Sequence, residues 1–323
     1  MAIKTSSFNK NLLVAGASGL IGSAIVRHLE INKYKNIFCP SRQELDLLNK
    51  EQFLQFCINK NIKHMIFAAG KVGGILDNKN NQISYLLKNT KLGLNALEVS
   101  IESKLEKVVL FGSSCMYPID ALQPYKEKDL LSGKIEKTSI GYAISKMLLT
   151  QGANLINQDQ SLTPFFISVI PNSTYGPNDN FDPDSSHVLA ALIKKIYDAN
   201  LSDSKNIDLF GTGTPLREFI YADDVADAIF FLLKTLKEKP KSAINIGTSV
   251  EITIKDLAFE IAKIIGYNGK INFNLNKLDG APRKLLDSSF LKKLGWTPKV
   301  ELNSGLIKTI DWYKKHWNFN GQK

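Results

Sequence analysis

Short apolar runs alternate along this chain with longer stretches in which apolar positions recur every three to four residues. Asn11–Ala15 is the first run; it closes on glycines, and Leu20, Ile21, Ala24, Ile25 and Leu29 follow at helical period. That pattern predicts a strand, a tight turn and an amphipathic helix. Asn36–Cys39, His64–Ala69, Lys107–Phe111 and Pro164–Ile170 read as further strands, with a long helical segment at Asn80–Ser103. Continuously apolar strands separated by helices are buried on both faces, which predicts an α/β chain with a Rossmann-type doubly wound parallel sheet.

The pattern changes after residue 170. Pro171, Pro177 and Pro183 punctuate a loop, a helix is expected near His187–Ala199, and Ala222–Leu236 and Ser304–Trp317 have amphipathic spacing. We therefore expect a nucleotide-binding domain over 1–170, with returns near 205–245, and a smaller α/β substrate-binding domain mainly over 171–323.

Composition narrows the function classes. The 323 residues suffice for one large or two smaller domains. A run of about 18 apolar residues, the length of a membrane span, does not occur. Met1–Lys10 is short and polar, without a signal-peptide core. Cys39, Cys57 and Cys115 are odd in number and lack CxxC spacing, and His28, His64, His187 and His316 are scattered. This argues against disulfides and a bound metal, and for a reducing, cytoplasmic compartment. The net charge of +10 is dispersed on residues such as Lys234, Lys237, Lys239 and Lys241, without an arginine-rich tract. Nucleic acid is not expected as a partner; a diffuse positive field suits an anionic small substrate.

Two local patterns carry chemistry. In Gly16-Ala17-Ser18-Gly19-Leu20-Ile21-Gly22 the glycines permit a tight turn, close approach to a pyrophosphate and close helix packing. Where an NAD site usually has a carboxylate, the end of the second strand reads Cys39-Pro40-Ser41-Arg42. Arg42, assisted by Ser41, could grip a 2′-phosphate, so NADPH is the expected cofactor. The second pattern pairs Ser113-Ser114-Cys115-Met116-Tyr117 with Tyr142-Ala143-Ile144-Ser145-Lys146. Tyr142 and Lys146, four apart, share a helix face; a phenol beside a fixed ammonium could exchange a proton near neutral pH, as carbonyl reduction requires.

On these residues the chain resembles the extended short-chain dehydrogenase/reductases and, among them, the GDP-L-fucose synthase family. The likeness continues through Ala69-Gly70-Lys71-Val72-Gly73-Gly74-Ile75, Tyr175-Gly176-Pro177, Asn180-Phe181, Ser186-His187-Val188, Gly211–Glu218 and Pro282-Arg283-Lys284-Leu285-Leu286-Asp287. The resemblance implies NADPH-dependent epimerisation at C3 and C5 and reduction at C4 of a GDP-4-keto-6-deoxy-mannose-type sugar. The alternative it leaves is a GDP-4-keto-6-deoxy-heptose or another GDP-4-keto sugar, with or without the epimerase step.

It further implies that Ser113 and Tyr142 bond the C4 oxygen and that Lys146 holds the nicotinamide ribose while lowering the Tyr142 pKa. Cys115 would be the epimerising base and His187 its acid partner. Asp46, Gly112, Pro171 and Thr174 join the glycine turn and Arg42 as implied cofactor contacts. Lys195, Phe210, Arg217, Asp279 and Arg283 are the implied GDP-sugar contacts. Related dehydratases carry an Asp-Glu pair where this chain has Ser114-Cys115, which favours the epimerase/reductase chemistry. Two departures stand out: Ser18 occupies a position commonly basic in the family, and Pro171-Asn172-Ser173-Thr174 replaces a Pro-Thr-Asn-Leu pattern. A homodimer through helices at Asn80–Ser103 and Ser139–Asp159 is also implied.

Overall fold

The apolar runs of the first half become parallel strands covered on both sides. A computed structural model describes residues 10–275 and 279–316. The first half comprises β1 (Leu12–Ala15), α1 (Leu20–Ile31), β2 (Ile37–Phe38), α2 (Lys50–Asn59), β3 (His64–Phe67), α3 (Ile75–Asn80), α4 (Gln82–Glu102), β4 (Lys107–Phe111), α5 (Ile140–Gln158) and β5 (Phe165–Pro171). The second continues with β6 (Ser173–Tyr175), α6 (Val188–Leu201), β7 (Asn206–Phe210), β8 (Leu216–Tyr221), α7 (Ala222–Thr235) and β9 (Ile244–Ile246). It ends with β10 (Glu251–Thr253), α8 (Ile254–Ile265), β11 (Lys270–Asn274), β12 (Arg283–Lys284), α9 (Ser289–Leu294) and α10 (Leu302–His316).

The large sheet is parallel throughout, in the order β2-β1-β3-β4-β5-β9. Alternation along each strand supplies two cores. Val14, Ile66, Val109 and Ile167 face one side, against Ile25 and Leu29 of α1 and Ile229 of α7. Leu13, Met65, Val108 and Phe166 face the other, against Phe53 of α2, Ala96 of α4 and Ala153 of α5. Each of the larger buried side chains (Val, Leu, Ile, Met and Phe) contributes roughly 2 kcal/mol. The expected doubly wound parallel sheet is present.

Of the expected return near 205–245, α7 covers the large sheet and β9 completes its edge, whereas β7 pairs with β11 in a separate two-stranded ribbon. Around β8 a smaller sheet forms, with β6 and β12 parallel and β10 antiparallel to it. Phe181, Ile193, Leu257, Ile261, Leu306, Ile310 and Tyr313 make its core. The segment expected as Ser304–Trp317 is helical over Leu302–His316, and Trp317 lies outside the described residues, as does the stretch 1–9.

Strand order reverses between β1 and β3, and at such a switch point the carboxyl ends of the strands diverge to leave a crevice. The segments following β1, β3, β4 and β5 all open onto that edge.

Candidate active site

The crevice begins at the glycine turn. Gly16 adopts a left-handed φ of +84°, and a Cβ there would lie 2.7 Å from the Ala69 amide at the end of β3. A Cβ on Gly22 would overlap the Gly16 carbonyl oxygen, so α1 can start this close to β1 only with glycine at both positions. Gly19 caps α1 without a side-chain hydrogen bond, which leaves the helix amino end open to an anion. Ser18 is exposed beside it.

From there the crevice runs past Gly70, where a Cβ would sit 3.7 Å from Lys146 Nζ. A small backbone cradle between an uncapped helix and a buried lysine fits a dinucleotide. Arg42 is exposed in the turn that follows β2, a turn closed by Ser41 N–H donating to Glu44 Oε2 at 2.7 Å. Asp46 lies beyond it, accepting from the Leu48 amide at 3.0 Å. At the far end Gly112 is packed against Met116, Ile170 and Thr150, Pro171 closes β5, and Thr174 Oγ1 donates to the Asn172 carbonyl at 3.0 Å.

Ser113 follows β4, and its Oγ accepts from the Cys115 amide at 3.2 Å, which fixes a 3₁₀ turn over Ser114–Met116. That turn faces α5, where Tyr142 is hydrogen-bonded with Ser113. Tyr142 and Lys146 are 9% and 6% exposed, and Lys146 Nζ lies 5.8 Å from the Tyr142 ring centroid. The electrostatics correct one expectation. Burial raises the Tyr142 phenol above its ordinary range, the Cys115 thiol adds to this, and only the Ser113 hydrogen bond opposes it. Lys146 is not among the groups that shift it; burial instead lowers the Lys146 ammonium from 10.5 to about 8. Tyr142 is therefore a phenol at neutral pH, able to donate to a carbonyl oxygen.

Cys115 meets a residue not singled out in the sequence. Lys284 Nζ lies 3.9 Å from Cys115 Sγ and 3.6 Å from Glu136 Oε2. His187 stands at the start of α6, on a loop whose Ser185 carbonyl accepts from the Gly74 amide at 2.8 Å. The residue is solvent-accessible, although protein atoms crowd around it. Burial lowers its imidazole pKa, and Lys284 lowers it further. Ser113, Tyr142, Cys115, Lys284 and His187 thus form one connected electrostatic cluster, with Lys146 beside it.

The implied GDP-sugar residues are not all free to serve. Arg217 is 8% exposed, and its charge interacts with Glu136, Asp279 and Cys115. The Asp279 carboxylate accepts from the Thr212 amide at 3.0 Å and hydroxyl at 2.7 Å. Phe210 is exposed at the end of β7, with Lys195 Nζ 5.6 Å from its ring and bonded to the Asp208 carbonyl. Arg283 differs: both arms of its guanidinium grip Glu251, at 2.7 and 2.5 Å. Successive strand residues point to opposite faces, so on β12 it is Lys284 that turns to Cys115. A cavity of about 160 Å³ adjoins this place, lined by Cys115, Gln123, Glu136, Arg283 and Lys284 among others.

The sequence profile of the NAD dependent epimerase/dehydratase family matches residues 12–247. The chain belongs to that family. Within it, the chain is 40% identical over 287 residues to a GDP-L-fucose synthase of Sinorhizobium fredii, across 89% of this chain and 90% of the relative. Among solved structures it is similar to a GDP-6-OMe-4-keto-L-xylo-heptose reductase from C. jejuni, with a TM-score of 0.88 and 28% identity over 96% of this chain and 99% of that one. A GDP-L-fucose synthetase from Naegleria fowleri bound to NADP gives a TM-score of 0.88 and 25% identity, over 97% and 95% of the two chains. The likeness to GDP-L-fucose synthases first drawn from the Ser-Ser-Cys and Ser-His-Val segments is borne out by these relatives.

Proposed function

We propose that the chain is an NADPH-dependent epimerase/reductase that inverts C3 and C5 of a GDP-4-keto-6-deoxy-mannose-type sugar and reduces C4, giving GDP-L-fucose. One observation carries the reading: a thiol stands in the same cluster as the Ser113–Tyr142 pair that would hold a ketone. The ketone makes the C3 and C5 protons acidic. The Cys115 thiolate removes one of them, and the negative charge that collects on O4 is met by the Ser113 and Tyr142 hydroxyls. His187, whose surroundings favour release of its proton, returns a proton to the opposite face. Solvent exchange then resets the two groups for the second centre.

Bound against the glycine turn, Arg42 and Lys146, NADPH would supply hydride to C4. Tyr142 releases its proton to O4 as the alcohol forms, and the Ser113 hydroxyl stabilises the phenolate left behind. Arg217 is the cation best placed for the pyrophosphate, since its charge is shared with no bidentate partner in the described residues.

A second reading, a GDP-4-keto-6-deoxy-heptose as substrate, is supported by the cavity beside Cys115, where the partly exposed Glu136 could bond a longer exocyclic chain. The same test covers both. The protein is incubated in heavy water with NADPH and each GDP-4-keto sugar in turn, followed by loss of reduced-nicotinamide absorbance and product NMR. Deuterium at C3 and C5 with turnover is expected; no turnover with any GDP-4-keto sugar overturns the proposal.

Two further points belong to it. No helix among the described residues is long and apolar enough to cross a membrane, and the free, exposed Cys39 supports a reducing cytoplasmic setting. Ile83, Leu87 and Leu94 on α4 and Ile144, Leu148 and Leu155 on α5 are exposed at helical spacing. These faces suit a second copy of the chain, and sedimentation equilibrium should report a dimer.

A further inference from the structure

Lys284 is held more firmly than a lysine in a solvated loop. Its strand pairs with β8, placing Lys284 opposite Arg217. The Lys284 carbonyl accepts from Asn172 Nδ2 at 3.3 Å, and the flanking Arg283 carbonyl accepts from Gln123 Nε2 at 2.9 Å. The Leu285 amide donates to Gln123 Oε1 at 2.8 Å, and the Leu286 amide to the buried Glu218 at 3.1 Å. Backbone on both sides of the residue is therefore pinned by side chains.

Glu136 shares the ammonium with Cys115. One of its oxygens accepts from Thr138 Oγ1 at 2.6 Å, and the other faces Lys284. Lys284 and Glu136 side chains are 20% and 25% exposed, so water screens them only partly. The charged and titratable groups around the Cys115 sulfur are Lys284 from β12, Arg217 from β8, Tyr142 from α5 and Tyr125 from the loop before Glu136. His187 faces Lys284 from the start of α6.

We propose that Lys284, whose charge is shared with Glu136, is a positioning residue for epimerisation, its ammonium being the counter-ion against which Cys115 forms a thiolate. This rests on the reading of Cys115 as the base. The thiolate takes the C3 or C5 proton to become a thiol, and the electron pair of that C–H bond passes into the enolate. Glu136 also tempers the cation. A thiolate stabilised too strongly forms at low pH but accepts protons poorly, and a carboxylate at 3.6 Å from Lys284 works against that extreme.

The test titrates the thiol directly, by the pH dependence of iodoacetamide alkylation at residue 115 in a Cys39→Ser background. Cys57 stays silent, because burial pushes its thiol up to about 12. Removing an opposite charge within contact range typically moves a titration by about one unit or more. Lys284→Met should raise the alkylation midpoint by about that much, Glu136→Gln should lower it, and Lys284→Arg should restore it. Midpoints that do not move, or that move the same way in Lys284→Met and Glu136→Gln, overturn the proposal. In parallel, Lys284→Met should slow deuterium uptake at C3 and C5 at pH 7 by about tenfold. Opposed midpoints with unchanged uptake would overturn the role of Cys115 as base and the part of this proposal that depends on it, while leaving the ion pair standing.

Discussion

Substituting methionine for Lys146 tests whether the site holds a charge against the preference of its surroundings. The side chain is 6% exposed, and burial lowers its pKa from 10.5 to about 8. At about 1.4 kcal/mol per unit, keeping this ammonium charged in the folded protein costs about 3 kcal/mol. The unfolded chain holds the proton up to about pH 10.5 and the folded chain only to about 8. Between those values the unfolded state binds more protons, so this group makes stability rise with pH across that window. Below pH 8 the full penalty applies, and above 10.5 none remains. Lys146→Met keeps the length and apolar stem and removes the charge. The ligand-free variant should be more stable than the parent by about 3 kcal/mol at pH 7, the gain fading as pH rises from 8 to 10.5. Its reductase turnover should fall by at least about 100-fold. Parallel urea unfolding of the two proteins at several pH values measures the difference. A variant no more stable at pH 7, or a gain that ignores pH, would refute the claim that desolvation governs Lys146.

Two further substitutions probe the two ends of the site. Gly22→Ala would force a Cβ onto the Gly16 carbonyl, so the Kd for NADPH by fluorescence titration should rise more than about tenfold, or about 1.4 kcal/mol; an unchanged Kd would mean that the turn yields freely. Arg217→Ala should raise KM for the GDP-sugar more than about tenfold, the worth of a charge-assisted hydrogen bond, whereas Arg283→Ala should stay within about threefold because Glu251 already matches that guanidinium. Equal effects in steady-state kinetics would contradict the assignment.

The parts of the fold legible in the sequence are those where burial leaves no choice. β1, β3 and β4 sit between two layers of helices, and their apolar runs announce it. β12 is two residues long, and β7 alternates buried and exposed over only five. Neither length lets a pattern rise above chance, and their pairing depends on partners far along the chain. The site divides the same way. Tyr142, Lys146, Ser113 and Cys115 lie in local motifs on one helix and one turn. Lys284 was hidden beside Arg283, and only the register of β12 on β8 tells which of the two faces the thiol. For Tyr142, the sequence supplies a lysine four residues away but not the loss of water around both groups, and that loss decides the direction of both shifts.

β9 lies at the edge of the large sheet although it comes from the second half of the chain. During synthesis, β5 is therefore made some 70 residues before the neighbour that will shield it is available. A nascent or truncated chain ending near residue 170 would present Phe165–Pro171 as a bare, apolar strand edge, open to pairing with other chains. The large parallel sheet is thus completed only from the second half of the chain, and solubility should appear only in fragments that extend past Ile246.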